Sequence, residues 1–467
     1  MHWTKKQLST LAVVAITSFM GTFLISSVNI ALPAIEKNFG MNAITLSWVV
    51  TAFLLSTAMF LLPFGRWGDL TGIRRLFKTG VILFTVASVV CGLAPSETWL
   101  ILFRFIQGVG AAMSSTTGPA ILVSAFPPQQ RGRVLGFSVS AVYLGLAFGP
   151  FAGGLITQYL GWRSIFHISS VFGIITALMA FRFLGADDIQ RNQSMKIDLK
   201  GTLFYMAGLV TLVYGSSQIP EAQGWLLMLA GLFFLLVFWY LETKSASPVL
   251  DTRLFTKNRL FAFSNLAALI NYSATFAIVF LLSLYLQKIK GLTPRDAGMI
   301  LVAQPAIMAI FSPVAGRLSD RIEPRYLTTL GMTMCTSGLA AFSFLDEGTP
   351  IWLIILLLVW VGFGFALFSS PNMNTIMSAV ERPQYGLASG TAATMRVVGQ
   401  IVSMTIATVF FALFMGNQAI ESVADHLFLN AQRWGFLVFS LISAVGIYFS
   451  YNRGAIIRDK IHPNQRM

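Results

Sequence analysis

Charge is scarce in this chain. Only 11% of its 467 residues are Asp, Glu, Lys or Arg, against about 25% in a soluble globular domain. With 55% hydrophobic residues and a mean hydropathy of +0.72, the composition is that of an integral membrane protein. Cysteine is nearly absent. Cys91 and Cys335 each sit inside an apolar run, which argues against a disulfide framework. Four histidines and scattered acids form no metal constellation. No Gly-x-x-x-x-Gly-Lys-[Ser/Thr] stretch is present, so ATP-driven transport by this chain is not expected. Paired ionisable residues for a membrane enzyme are missing, as are the repeated filter segments or charged rings of a channel. Strand-type alternation is absent too, which excludes a membrane β-barrel. No cofactor and no metal are expected, and the chain is not expected to be an enzyme.

Long apolar runs are what the sequence has instead. A helix crosses the hydrocarbon core with about 20 apolar residues, and fourteen such runs lie between residues 9 and 451, joined by short connections rich in Pro, Gly and charge. The first run follows Lys5 and Lys6 and extends from Leu8 to Leu32, too long for a signal peptide, so it reads as an uncleaved first span. With the N-terminus inside, the inner segments hold 24 of the 32 basic residues and the outer segments six, namely Lys37, Arg163, Lys288, Lys290, Arg295 and Arg433. Arg104 and Arg396 fall inside spans. Lys and Arg set topology and acids matter little, so both termini are expected in the cytoplasm. The formal charge of +14 then lines the cytoplasmic face toward anionic lipid; its spread over many loops argues against nucleic acid.

A charged stretch lies between the second and third runs: Gly65-Arg66-Trp67-Gly68-Asp69-Leu70-Thr71-Gly72-Ile73-Arg74-Arg75. A degenerate copy, Gly316-Arg317-Leu318-Ser319-Asp320, returns 251 residues later, with Arg325 at the offset from its glycine that Arg74 has from Gly65. The repetition marks a doubled chain with two short, nearly apolar runs left in the middle. The expectation is an all-α membrane protein of fourteen transmembrane helices, two parallel six-helix bundles plus two linker helices, with residues 1–190, 191–250 and 251–467 as the three parts.

These stretches resemble the cytoplasmic loop signature of the major facilitator superfamily, and the 6+2+6 plan resembles its fourteen-helix drug:proton antiporter branch. The resemblance implies a latch in which Gly65, Arg66, Asp69, Arg74, Arg75 and Asp320 hold one conformation; the plain alternative is a positive-inside turn. Arg104-Phe105-Ile106-Gln107-Gly108-Val109-Gly110 matches the family's fourth-helix motif, associated with proton coupling. An arginine at that depth costs about 2.5–3.5 kcal/mol on insertion scales, so Arg104 faces a wet cavity or a partner, with Gln107 on the same face; a structural arginine bonding backbone carbonyls is the alternative. Gly145, Gly149 and Gly153 recur every four residues beside Pro150 and Gly154, a flat seam with a kink. That pattern resembles the superfamily's antiporter motif. Val28-Asn29-Ile30-Ala31-Leu32-Pro33 also fits this branch, but Leu24 stands where the branch places an aspartate. None of the 18 acids lies deep within a run.

Arg396 and Gln400 share a face of the thirteenth run; Asn29, Asn271, Gln304 and Asn372 add polar groups to the expected cavity, each of which serves equally as an interhelical hydrogen bond. The resemblance implies a secondary transporter working by rocker-switch alternating access, a proton-driven exporter of drugs or other amphiphiles in the inner membrane, probing small molecules and lipid rather than protein partners, as a monomer. A dedicated transporter of an endogenous anionic or lipid-like solute is the second reading, to which Leu24 and the two arginines add weight. A receptor that no longer transports is the third. The topology has a direct check: a cysteine introduced at Gln193 should resist an impermeant reagent applied outside intact cells, and labelling there would break the fourteen-run count.

Overall fold

The computed structural model describes residues 3–127, 130–185, 198–245, 248, 250, 252–319, 321–381, 384–416 and 418–455, leaving out the side chains at 69, 131–133 and 386. The regular structure among these residues is helical. In chain order the segments are α1 (Lys5–Phe39), α2 (Ala43–Thr71), α3 (Ile73–Gly92), α4 (Glu97–Ala125), α5 (Arg131–Leu160), α6 (Arg163–Phe183), α7 (Leu199–Ser217), α8 (Ala222–Lys244), α9 (Thr252–Lys257), α10 (Arg259–Thr275), α11 (Ala277–Lys288), α12 (Pro294–Leu301), α13 (Ala303–Ser319), α14 (Pro324–Phe342), α15 (Ile351–Ser378), α16 (Tyr385–Met415) and α17 (Asp425–Tyr451). Eleven stretches of the described chain are long and apolar enough to cross a membrane. Helix is the only open solution there, because lipid offers no partner for a free N–H or C=O.

Two interruptions have local causes. The ninth apolar run breaks at Phe276, between α10 and α11, where the Ala277 N–H turns to the Ser403 hydroxyl of α16 at 3.0 Å. A side chain has entered the helical ladder. The tenth run breaks at Val302 between α12 and α13; Pro305, one turn on, has no N–H for the Leu301 carbonyl. The charged stretch is mostly helix: Gly65–Asp69 forms the last turns of α2, which runs on to Thr71 before Gly72 (φ 104°) ends it. Gly316–Ser319 likewise ends α13.

The first six helices pack on one another: α1 on α5 and α6, α2 on α4, and α3 on α4 and α6. A second group has α10 on α16 and α17, α14 on α15 and α17, and α13 on α15. The groups meet where α5 lies on α12 and α13, α16 on α2, and α11 on α1. Helix α7 touches both α2 and α16, fixed by the Tyr205 hydroxyl on the Ala58 carbonyl, and α8 packs on α7.

A glycine-lined seam of the first group is α1 on α5. A Cβ at Gly153 would sit 2.7 Å from the Ser27 Cα, so only glycine lets the two backbones approach this closely. Hydroxyls on α1 use that proximity: Thr22 donates to the Val142 carbonyl (3.0 Å), Ser26 to Leu146 (3.3 Å) and Ser27 to Gly149 (3.0 Å). Leu146 is the carbonyl that Pro150 leaves unpaired one turn ahead, so Ser26 supplies the missing donor and α5 continues past its proline. Gly153→Val should therefore cost about 1–3 kcal/mol of stability through overpacking, while Gly136→Ala, with open space around it, should cost little. Thermal unfolding of the two variants in the same detergent checks the contrast.

Candidate functional site

Two ends of the molecule differ. At the end carrying the α1–α2 turn, hydrogen bonds tie the two groups together. Ser283 donates to the Asn29 carbonyl (2.8 Å) and Gln287 to that of Ile30 (3.0 Å). The Ala43 amide donates to the Gln418 carbonyl (3.1 Å), the Glu421 amide to Glu36 (3.0 Å) and the Thr408 hydroxyl to Ser47 (3.0 Å). Deeper, the α5 stretch at Pro150 and Gly154 lies directly on Pro294 and Gly298 of α12.

Mid-depth is different. Tyr143 of α5 and Ser369 of α15 meet hydroxyl to hydroxyl across the groups. Tyr272 of α10 shares Ser369, and the Arg396 guanidinium of α16 lies within electrostatic reach of both phenols. Counting about 1.5 Å per residue, Tyr143, Tyr272 and Arg396 all lie about 16–20 Å along their helices from the end carrying Lys5. All four side chains are partly accessible. Arg396 makes no hydrogen bond or ion pair among the described residues; Gln400, one turn on, is also half-buried. Phe365 packs edge-on against Tyr272, giving the cleft an aromatic wall.

Arg104 is not in this cleft. It is fully buried inside the first group, its Nε on the Val49 carbonyl (2.9 Å), one terminal nitrogen on Gln107 Oε1 (2.6 Å), and its plane over the Phe53 ring at 4.4 Å. Gln107 passes the chain on to the Ser88 hydroxyl (2.7 Å). The second terminal nitrogen has no hydrogen-bond partner. Of the two options for this arginine, the geometry is that of the brace between α2, α3 and α4.

The remaining candidates scatter. Asn372 donates to the Ser264 carbonyl (3.1 Å) and accepts from Arg453 (2.7 Å), so it is spent on packing. Asn271 is fully buried with both ends of its amide unpartnered, and the side-chain oxygens of Asn29 and Gln304 are unpartnered as well. Arg66 donates through two nitrogens to the Pro248 carbonyl (3.2 and 2.6 Å), tying α2 to the segment before α9. Gly65 and Gly68 bring α2 against Thr116 and Thr117 of α4. Asp320 and the side chain of Asp69 lie outside the described residues; Arg74 and Arg75 both have partners. Gly145, Gly149 and Gly153 face α1, while Gly154 faces the second group.

Sequence reasoning missed three residues. A lone Tyr143 in an apolar helix carries no signal until Ser369 is seen opposite it. Arg453, two residues past α17, looks like any inner-end basic residue. It is 1% exposed and binds Ser264, Asn372, Ser450 and Thr328, joining α10, α14 and α15 to the end of α17. Burial pulls it down to about 9, which still leaves it charged at neutral pH. Glu36 reads as a helix-end acid, yet it is 4% exposed beneath the other group.

The Major Facilitator Superfamily model matches residues 12–404 and 264–466. This chain belongs to that superfamily. It is 32% identical over 413 residues to the riboflavin transporter RibZ of Clostridioides difficile (strain 630), covering 88% of this chain and 89% of RibZ. It is 31% identical over 410 residues to the multidrug resistance protein Stp of Mycobacterium tuberculosis (strain ATCC 25618 / H37Rv), covering 86% of this chain and 75% of Stp. Among solved structures, a bacterial homolog of the human lysosomal transporter Spinster, in an inward-facing and unoccupied conformation, superposes with a TM-score of 0.70 at 16% identity, over 97% of this chain and 98% of that one. The xylose transporter XylE from E. coli, partially occluded and inward open, gives 0.65 at 12% identity, over 96% and 98%. The fold is thus that of superfamily transporters, and the chain is a multi-pass membrane transporter, not an enzyme.

The two mid-chain arginines should separate in stability. Arg104→Ala leaves Gln107 Oε1 without a donor in a buried site and should cost about 3 kcal/mol. Arg396→Ala removes a side chain with no partner to orphan and should leave the melting temperature within a degree or two of the parent, roughly the effect of ±0.5 kcal/mol. Differential scanning fluorimetry of both variants reads the difference.

Proposed function

We propose that this chain is a rocker-switch secondary transporter of the fourteen-span kind that exports amphiphilic small molecules, and that the structure corresponds to its inward-facing state. The single observation carrying this reading is the asymmetry of the seam, hydrogen-bonded across at the α1–α2 end and holding a partly accessible, unbonded Arg396 at mid-depth. With both termini in the cytoplasm, the end away from those bonds faces inward. Three helices join the eleven apolar stretches as spans: α4, whose hydropathy is lowered by Glu97, Arg104 and Gln107, together with α7 and α14. The resulting division is residues 1–190 and 251–467 as the two bundles, with 191–250 supplying the linker pair. The proton gradient drives export, and the protein works as a monomer in the inner membrane without a cofactor. The names of Stp and the drug efflux pump JefA, the latter 28% identical to this chain, support a drug-like substrate.

A specific observation favours a narrower reading of the cargo. The cleft presents a guanidinium, two phenols and a serine hydroxyl, with no carboxylate among its described members. An ionisable group placed at membrane depth marks a functional site, and one without a partner is completed by water or substrate. Neutral or anionic amphiphiles with hydrogen-bonding edges fit this lining better than permanent cations. RibZ, named for riboflavin, agrees with it.

Binding to the purified protein tests the reading. Arg396→Ala should weaken an anionic amphiphile at least about tenfold more than a neutral one of similar size, the equivalent of about 1.4 kcal/mol. Arg396→Lys should restore only part of the loss, because the planar fork is gone. Tight binding of a quaternary cation that ignores Arg396→Ala would return the chain to cationic drug efflux. Proteoliposome uptake with and without a pH gradient decides the coupling.

A further inference from the structure

The closed end of the seam contains an acid that the transport reading has not used. Glu36 lies one turn from the end of α1 and is 4% exposed. Its Oε1 accepts the Glu421 amide of the α16–α17 connection at 3.0 Å, and the Ile420 amide also reaches the carboxyl. Next to it the Ala43 amide holds the Gln418 carbonyl at 3.1 Å. The connection between α16 and α17, in the second group, is therefore seated on the α1–α2 turn of the first. Its own group holds it from the other side: Lys288 of α11 donates to the Val423 carbonyl (2.9 Å) and pairs with Asp425 (3.0 Å).

No cation pairs with Glu36 among the described residues. The charged groups around it are accounted for. Lys288 lies within electrostatic reach and favours the ionised carboxyl, the weakest of the influences on it, but its ammonium is engaged by Asp425 and by the Glu421 and Val423 carbonyls. Lys37, the neighbour on α1, is exposed. Arg163 of α6 bonds Asn38 and the Ala94 carbonyl. On α12, Arg295 donates to the Tyr159 hydroxyl and the Asp296 carboxylate accepts the Thr293 hydroxyl of its own helix. The one further acid is Glu421 itself, which repels a second negative charge.

We propose that Glu36 is a proton-responsive clasp of the outer seam, which shuts over a neutral carboxyl and parts when the carboxyl is ionised. Burying an unpaired carboxylate costs more than two amide hydrogen bonds return, and that cost is removed when the group takes a proton. A neutral carboxyl still offers its C=O to the Glu421 amide. When the seam opens, the group meets outside water and sheds its proton. Acid outside thus favours the inward-facing state, and neutral pH outside favours opening. The clasp responds to pH at the end opposite the expected cytoplasm, and Leu24 leaves α1 without the deeper acid that the antiporter branch carries.

The proposal rests on the alternating-access reading, but its test needs no substrate, so a failed transport assay leaves it standing. Spin labels at Leu160→Cys and Ser422→Cys, both exposed and in opposite groups at the outer end, report the width of the seam in the full chain with Cys91 and Cys335 replaced by Ala. Lowering the pH from about 7.5 to about 5.5 should drain the long-distance population at least threefold. Glu36→Gln, a mimic of the neutral acid, should stay in the short-distance population at both pH values. A pH response that survives Glu36→Gln, a seam that ignores pH in the parent, or a Glu36→Gln seam that stands open at both pH values would each overturn the proposal.

Discussion

Every polar group set between these helices has to find its partner without bulk water. That constraint decides which helix pairs are permanent and which can part. The α1–α5 pair meets it with hydroxyls aimed at backbone carbonyls along a glycine face. Separating those helices would break three hydrogen bonds at once and leave the Leu146 carbonyl, which Pro150 cannot serve, without a donor. The seam between the groups meets it differently. Several of its outer bonds use backbone atoms at helix ends or in turns, such as Ala43, Gln418 and Glu421. Those groups have water to turn to when the end opens, so they can be exchanged at small cost. Rigid bodies and movable joints thus come from where in the bilayer each polar group sits.

The same distinction sorts the arginines. Arg104 and Arg453 each have three or more neighbours that fix their planes, and each joins three or more helices of one group. Removing Arg104 leaves Gln107 Oε1 without a donor, and removing Arg453 does the same to Asn372 Oδ1. Arg396 stands at the depth where the groups face each other and has phenols rather than bonded partners beside it. A transporter needs its rigid bodies internally satisfied and its cleft left unsatisfied until the cargo arrives. The third arginine fits the second condition and the first two fit the first.

Much of the fold was legible because hydropathy reports directly on what faces lipid. The long runs, the glycine stripe at 145, 149 and 153 and the repeated charged stretch all appear as periodic or repeated patterns, and the superfamily they resemble is the one the chain belongs to. The site was less legible because its members are ordinary residues that matter only by juxtaposition. Arg104 and Arg396 look alike in sequence, each a lone cation beside a glutamine three or four residues on. Helical spacing fixes that Gln107 shares a face with Arg104 but not whether that face looks at α2 or at the cleft. Asn372 looked like cavity lining because Arg453, its partner, is 81 residues away. The breaks at Phe276 and Val302 follow from a serine on another helix and a proline one turn on; the second was visible in principle, the first was not. Within the charged stretch, Gly65 and Gly68 allow close packing of α2 against Thr116 and Thr117 while the helix continues.

Glu36 shows how position along the bilayer changes what a residue can do. An acid at this depth has two states available, buried under the opposing group or open to water, and the difference is the motion itself. Had it been placed near Arg396, an ion pair would have quenched both the cation and the acid, and the cleft would have lost its unsatisfied charge. Had it been placed further out, in the turn beyond Gly40, water would have reached it in both states and it would sense nothing. At the closed end it is buried under another group's backbone, next to the exposed Lys37. Only there does one helix end carry a charge whose cost depends on whether the two groups are touching. On the proposed reading, the separation of the unbonded cation at mid-depth from the buried acid at the α1–α2 end puts cargo recognition and seam closure on different residues, so that each can respond without neutralising the other.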